Sequence, residues 1–144
     1  MTRMVFVIGA AAWLLVGTGI MGVAVLGTEW LLARLPPLAI DADALGGALT
    51  AMAVGMLALG AAHIVLVIGL ARGARWARSA GALVASVLAA VLLGLAAAAV
   101  SSSLREAAYA LPLIGSALLA AVGMLAYLLV AVRLARELGS GSVA

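Results

Sequence analysis

The sequence predicts an all-α membrane protein, a bundle of four transmembrane helices. Four apolar runs carry this prediction, and they cover Val5–Leu26, Ala48–Leu70, Ala80–Val100 and Leu111–Val132. Each run reaches the roughly 20 apolar residues that a helix needs to cross the bilayer core. His63 is the only Asp, Glu, His, Lys or Arg within them. The short connections favour helices over a barrel, because a spanning segment has to satisfy its own backbone hydrogen bonds.

The first run is predicted to be a retained transmembrane helix. Met1–Arg3 ahead of an apolar run is also the pattern that opens a secretory signal peptide. The run is longer than the ~7–15-residue core of such a peptide, however, and no clear Ala-x-Ala cleavage site follows it. We therefore expect Val5–Leu26 to stay in the membrane.

The second run ends before a cluster of arginines, and a polar connection separates the third run from the fourth. Ser103 and Glu106 in that connection have the spacing of a capping box, which predicts the start of a short helix. Pro112 lies at the beginning of the fourth run, where its missing N–H group costs nothing. Both observations predict a helix start close to the fourth span.

The placement of the arginines predicts that both termini are cytoplasmic. With the N-terminus inside, six arginines lie on the cytoplasmic side and two on the outer side, as the positive-inside rule requires. All eight basic residues are arginine, which is typical of a GC-rich bacterial genome. The inner arginines are Arg3, Arg72, Arg75, Arg78, Arg133 and Arg136, and the outer ones are Arg34 and Arg105.

Composition indicates one domain and excludes several kinds of site. The chain has 144 residues, 68% apolar and 9% charged, and its longest connection is too short for a separate core. We therefore expect a single domain over residues 1–144. The absence of cysteine excludes disulfides and thiolate metal sites, and we expect no metal. Nucleic acid is not an expected partner, because the arginines lie at loop ends without base-stacking aromatic residues along one face.

Small residues recur at helical spacing on the second and third runs and predict where helices meet. Lipid is as apolar as leucine, so membrane helices associate by close approach at small side chains. We expect these stripes to make a tight bundle, and any small face left over to bind other membrane helices or a second copy of the chain. The stripes are Gly47, Ala51 and Gly55 on the second helix, and Ala82, Ser86, Ala90, Gly94 and Ala98 on the third.

His63 is the candidate ligand-binding residue, because an ionisable side chain inside a membrane span is costly and often functional. It could ligate a haem or a chlorophyll-type pigment, relay protons or contribute to a substrate site. The chain has no second histidine for a six-coordinate haem, whereas a chlorophyll magnesium needs one axial ligand. The structural alternative is a neutral histidine that hydrogen-bonds Ser86, Ser116 or a carbonyl of a neighbouring helix. We expect this structural role and no cofactor.

The segment Gly69–Arg78 combines the densest positive charge of the chain with a tryptophan. Arg72, Arg75 and Arg78 are predicted to bind anionic lipid headgroups, each contributing ~1 kcal/mol near the surface, with Trp76 anchored at the interface. The segment reads Gly-Leu-Ala-Arg-Gly-Ala-Arg-Trp-Ala-Arg. It resembles a stretch of small uncharacterised four-helix bacterial membrane proteins, in which an apolar helix ends in a Gly–Arg–Trp–Ala–Arg-type turn. The resemblance implies a bacterial inner-membrane protein and brings no active site with it.

Patterns that indicate catalysis or ion coupling are missing from the sequence. It has no HExxH, P-loop or Gly-x-Ser-x-Gly motif, and no span carries a carboxylate that could couple ion movement to transport. We therefore expect a non-catalytic accessory or assembly subunit that packs against other membrane helices, with membrane lipids and other subunits or further copies as partners. The alternatives are a pigment- or haem-binding protein that uses His63, and a small oligomeric transporter or channel.

Overall fold

The structure is a computed structural model that describes residues 1–28, 42–105 and 109–140. Over these residues the chain forms long helices and no strand. The helices are α1 (Thr2–Leu26), α2 (Ala42–Ala71), α3 (Arg75–Arg105) and α4 (Ala110–Ser140). By length and composition, each of them can cross a membrane. The predicted all-α class with four membrane-spanning helices is confirmed.

The helices extend beyond the apolar runs that predict them. α4, for example, continues to Ser140 although its apolar run ends at Val132. The added turns carry charged side chains, and Arg133 Nε lies 3.2 Å from Glu137 Oε1 one turn later. An apolar run therefore predicts the presence of a span, whereas the helix itself is longer than the run.

Ser103 does not begin a separate helix. It lies near the end of α3, and its hydroxyl donates to the carbonyl oxygen of Val100 over 2.7 Å. The predicted helix start at this residue is wrong, because a serine hydroxyl can bond a carbonyl of the preceding turn within a helix as well as cap a new one. Glu106, its predicted capping partner, lies outside the described residues, as does Arg34.

The chain falls into two compact units. One is Phe6–Ile68, and the other combines Met1–Val5 with Gly69–Ala144. Each unit has its own helix contacts. The single domain expected over residues 1–144 stays a prediction.

In the Phe6–Ile68 unit, α1 and α2 approach closely at two glycines. A Cβ atom on Gly60 would lie 2.6 Å from Leu14 Cγ, and one on Gly17 would lie 3.1 Å from Leu57 Cγ. Ala53, one turn before Leu57, has its carbonyl oxygen 3.2 Å from the same position beside Gly17. The order of these contacts makes the two helices antiparallel. Both glycines are buried, and they bring the helix backbones together in the way that small residues do in membrane proteins.

In the other unit, α3 and α4 pack against each other. A Cβ atom on Gly123 of α4 would lie 3.1 Å from Leu92 Cδ1 of α3. Apart from Leu88, the buried residues of α3 are alanine and glycine, which allow close backbone approach. The buried residues are Ala77, Gly81, Ala85, Leu88 and Ala89 on α3, and Ala117, Tyr127, Val130, Ala131 and Leu134 on α4.

Two glycines build the turn between α2 and α3. Gly73 has a φ of +70°, a left-handed conformation that residues with a Cβ atom rarely adopt. Its N–H donates to the Leu70 carbonyl over 3.3 Å and the Ala74 N–H donates to the Gly69 carbonyl over 3.0 Å, the pattern of a Schellman cap. A Cβ atom on Gly69 would lie 2.7 Å from Ala77 Cβ, so this glycine makes room for the first turn of α3.

Candidate functional site

His63 lies in α2 with no exposed surface. Its Nδ1–H donates to the carbonyl oxygen of Leu59, one turn earlier in the same helix, over 2.7 Å. The carbonyl can only accept, so Nδ1 carries the hydrogen. The ring also meets Phe6 of α1 edge to face, with centroids 5.4 Å apart and planes at 65°, an arrangement that aromatic pairs favour. His63 is therefore held as a packed aromatic side chain between α1 and α2.

This setting favours the structural role of His63 over that of an axial ligand. A tetrapyrrole needs open space over the coordinating nitrogen, whereas the histidine side chain is fully buried. Ser86 and Ser116, the predicted partners, donate instead to the carbonyls of Ala82 and Pro112 in their own helices, each over 2.9 Å. Among the described residues, no three His, Cys, Asp or Glu side chains are grouped to hold a metal ion. Haem or pigment binding stays a prediction that this geometry disfavours.

The four residues predicted to bind lipid headgroups do not share one environment. Arg72 and Arg75 are exposed. Trp76 is 54% exposed, and its ring lies against Gly69, where a Cβ atom would be 2.8 Å from Cζ2. Arg78 is only partly exposed and lines a cavity at this end of α3. Lipid binding by all four stays a prediction, but the structure separates Arg78 from the other three.

Sequence reasoning missed two arginines that line the same cavity. Arg3 reaches it from the first turn of α1 and Arg133 from the last turns of α4. The positive-inside pattern assigned both to one side of the membrane with Arg78, but a topology rule gives no distances. The one local signal for Arg133 is its spacing from Glu137, because residues four apart on a helix can form an ion pair.

The small-residue stripes predicted to pack the bundle lie on outer faces of α2 and α3. Their residues are exposed, except for Ala82, which is partly exposed. Helix contacts within the chain use a neighbouring row, and on α3 Gly81 and Ala85 are buried instead. Contact of the stripes with other helices stays a prediction. The outward residues are Gly47, Ala51 and Gly55 on α2, and Ala82, Ser86, Ala90, Gly94 and Ala98 on α3.

An apolar groove of about 550 Å³ runs between α3 and α4 beside the α3 stripe. Its walls are aliphatic, and the hydroxyl of Ser101 among them donates to the carbonyl of Ala98 over 3.0 Å. A groove of this kind suits an acyl chain or an apolar helix face. Its walls include Leu93, Ala97 and Leu104 from α3, and Ile114, Leu118 and Ala121 from α4.

No protein-family model, curated protein or solved structure matches the chain. The resemblance of Gly69–Arg78 to a turn in bacterial membrane proteins therefore stays a prediction. Within this chain the segment has a defined structural role, because Gly69 and Gly73 build the turn between α2 and α3.

Proposed function

We propose that this protein is a non-catalytic subunit of the bacterial inner membrane that packs against other membrane helices, either from a partner protein or from further copies of itself. The row Ala90, Gly94 and Ala98 on the outer face of α3 carries the proposal. A Cβ atom added to Gly94 would meet no heavy atom within 4 Å beyond its chain neighbours and the backbone of its own helix. The backbone of α3 is therefore accessible there, and membrane helices approach each other most closely at small residues in this spacing.

The shape of this row fits a second helix better than it fits a smooth apolar surface. From Ala90 to Ala98 it runs roughly 12 Å along α3, at 1.5 Å per residue. Leu93 and Leu95 flank Gly94 and are 56% and 54% exposed, so they form ridges beside a floor of backbone. A partner helix on that floor would gain many weak dispersion contacts that together are large.

The groove between α3 and α4 enlarges this surface. Ala97 and Ser101 line the groove and are the chain neighbours of Ala98 and Ser102, which continue the row. The groove walls are almost entirely apolar, which suits a partner inside the bilayer rather than a water-soluble one. The combined surface supports a helix partner more directly than it supports ion or solute transport, since no ionisable group faces it among the described lining residues.

The proposal includes an orientation with both termini in the cytoplasm. Arg3, Arg78 and Arg133 line one cavity, so the start of α1, the start of α3 and the end of α4 lie at the same end of their unit. Clustered arginines at one membrane face support a cytoplasmic location for that face under the positive-inside rule.

Replacement of Gly94 by leucine tests the proposal, with Gly115→Leu as the matched control. Both glycines are helical and exposed, and neither has a heavy atom within 4 Å of an added Cβ. They differ in their neighbours one turn away, because Gly115 lies between Leu111 and Leu119 and has no small row. The assay is native mass spectrometry of each variant after gentle extraction from its own membrane.

We expect the wild type and Gly115→Leu to retain the same additional polypeptide or the same oligomeric mass, and Gly94→Leu to lose it. Equal retention in all three would overturn the proposal. Protein-dependent solute flux that survives in liposomes with Gly94→Leu would favour the transporter alternative instead.

A further inference from the structure

Three arginines surround a cavity of about 350 Å³ in the unit that combines Met1–Val5 with Gly69–Ala144. Pockets of this order are large enough for small-molecule groups. The polar residues around it come from separate parts of the chain, and none of the arginines is near another in sequence. Its lining includes Thr2, Arg3, Gly73, Arg78, Arg133 and Glu137.

The charge of this cavity is strongly positive. The side chains of its three arginines and one glutamate carry a formal charge of +3 − 1 = +2. Arg78 is only partly exposed, so its charge is less well hydrated than that of Arg72 or Arg75. Three guanidinium groups around one space repel each other, and an anion between them relieves that repulsion.

Two of the arginines make a hydrogen bond beside the cavity. Arg3 donates from Nη2 to the Leu70 carbonyl over 3.0 Å, and Arg133 donates from Nε to Glu137 Oε1 over 3.2 Å. Each of these bonds uses one of the five N–H donors of a guanidinium group. Other donors of both groups stay available for an anion, and the partly buried bond of Arg3 restricts that side chain before binding, which lowers the entropy lost on binding.

Thr2 is another residue of the same lining. Its Oγ1 atom is buried and has no hydrogen-bond partner within the described part of the chain. A buried hydroxyl without a partner is destabilising, and because this atom is inaccessible, Thr2 is not one of the phosphate ligands. Leu70 and Leu134 supply an apolar wall beside the charged one.

We propose that this cavity binds a phosphate group, with Arg3, Arg78 and Arg133 as its ligands. Arginine is the side chain best matched to phosphate oxygens, because its planar fork donates two parallel hydrogen bonds. The phosphate belongs either to an anionic membrane lipid or to a soluble phosphate ester, since both present the same oxygens. The cavity is separate from the α3 stripe, and phosphate binding in it does not depend on what binds to the stripe.

The test is titration of the purified full chain, in non-ionic detergent, with three probes that differ in one feature each. Short-chain phosphatidylglycerol carries phosphate and acyl chains, diacylglycerol of the same length lacks the phosphate, and glycerol 3-phosphate lacks the chains. Bound probe is counted by native mass spectrometry. We expect binding of phosphatidylglycerol or glycerol 3-phosphate, whichever is the source of the phosphate, and none of diacylglycerol.

Matched arginine variants distinguish the site from a general attraction to positive charge. Arg78→Gln is paired with Arg75→Gln on α3, and Arg133→Gln with Arg136→Gln on α4. The two variants of a pair each lose one positive charge from the same helix. Arg75 and Arg136, however, are exposed and do not line the cavity. We expect the cavity variants to weaken binding about tenfold or more, as for loss of one charge-assisted hydrogen bond, and the paired controls to bind within about twofold of wild type.

Glu137→Gln distinguishes the loss of a phosphate ligand from a general disturbance of the cavity, because glutamine keeps an oxygen that can accept from Arg133. It removes the one negative charge of the cavity, so we expect equal or tighter phosphate binding. Weaker binding in this variant, an equal loss in all arginine variants, or no preference of the wild type for the phosphate-bearing probes over diacylglycerol would each overturn the proposal.

Discussion

Arg3 donates from Nη2 to the carbonyl oxygen of Leu70 over 3.0 Å and so joins the first turn of α1 to the last turn of α2. The same carbonyl accepts the N–H of Gly73 over 3.3 Å. The last carbonyls of a helix have no partners within it, and they carry the negative end of the helix dipole. The guanidinium group therefore stabilises a helix end as well as lining the cavity.

Replacing Arg3 should lower the stability of the protein because it removes the hydrogen bond to Leu70. We expect Arg3→Gln to reduce the free energy of unfolding by ~1 kcal/mol, since a cationic donor at a partly exposed helix end contributes about that much. Arg3→Lys, which keeps the charge, should lose less. Arg136→Gln is the control because its exposed side chain leaves this bond intact. The measurement is unfolding by a denaturing detergent, followed by circular dichroism. An equal loss of stability in Arg3→Gln and Arg136→Gln would contradict a stabilising role of the Arg3–Leu70 bond.

Gly69 should not tolerate even a methyl group. An alanine there would put its Cβ 2.7 Å from Ala77 Cβ, and Ala77 is fully buried and has no rotamer with which to move away. We expect Gly69→Ala to destabilise the protein by ~1–3 kcal/mol, as overpacking does. Gly94→Ala, in open space, should leave the unfolding midpoint unchanged or raise it. A neutral Gly69→Ala would show that the α2–α3 turn is looser than its contacts indicate.

Gly60 and Leu14 should be coupled in a double-mutant cycle. The Cβ of Gly60→Ala would lie 2.6 Å from Leu14 Cγ, and Leu14→Ala removes that atom. We expect each single substitution to destabilise, and the double variant to be more stable than the sum predicts by at least ~0.5 kcal/mol. Additive effects in the same unfolding assay would mean that these side chains do not meet.

His63 should prove important for stability and silent in absorption. His63→Ala empties a fully buried position and should cost ~2–4 kcal/mol. His63→Phe keeps a ring against Phe6 but loses the hydrogen bond to Leu59, so it should cost less than His63→Ala, with about 1 kcal/mol for that bond. The visible absorption spectrum of protein extracted from its own membrane should be the same for the wild type and both variants. A visible band in the wild type that His63→Phe abolishes would establish the pigment or haem alternative.

The sequence predicts the four spans well but not the ends of the helices. An apolar run gives no sign of the polar turns that continue the helix, such as the one in which Arg133 pairs with Glu137. Ser103 shows the same limit, because its hydroxyl bonds within α3 rather than capping a new helix.

The kind of residue that packs between the helices was predictable, whereas the row of small residues that is buried was not. Small residues at four-residue spacing form two adjacent rows on α3, and the buried one contains Gly81 and Ala85 rather than Ala82 and Ser86. Both rows permit close approach, so the choice depends on how neighbouring side chains such as Leu88 fit. Similarly, the arginines of the cavity come together only through the tertiary fold, which no local pattern encodes.

Crosslinking inside the native membrane tests the central claim most directly. Leu93, which is 56% exposed and lines the groove beside Gly94, is replaced by a diazirine amino acid of similar size. Leu119 of α4, 76% exposed, receives the same group as the control. After illumination of intact membranes, we expect a discrete protein adduct at position 93 and only lipid adducts at position 119. Lipid adducts alone at both positions would contradict a helix partner on α3.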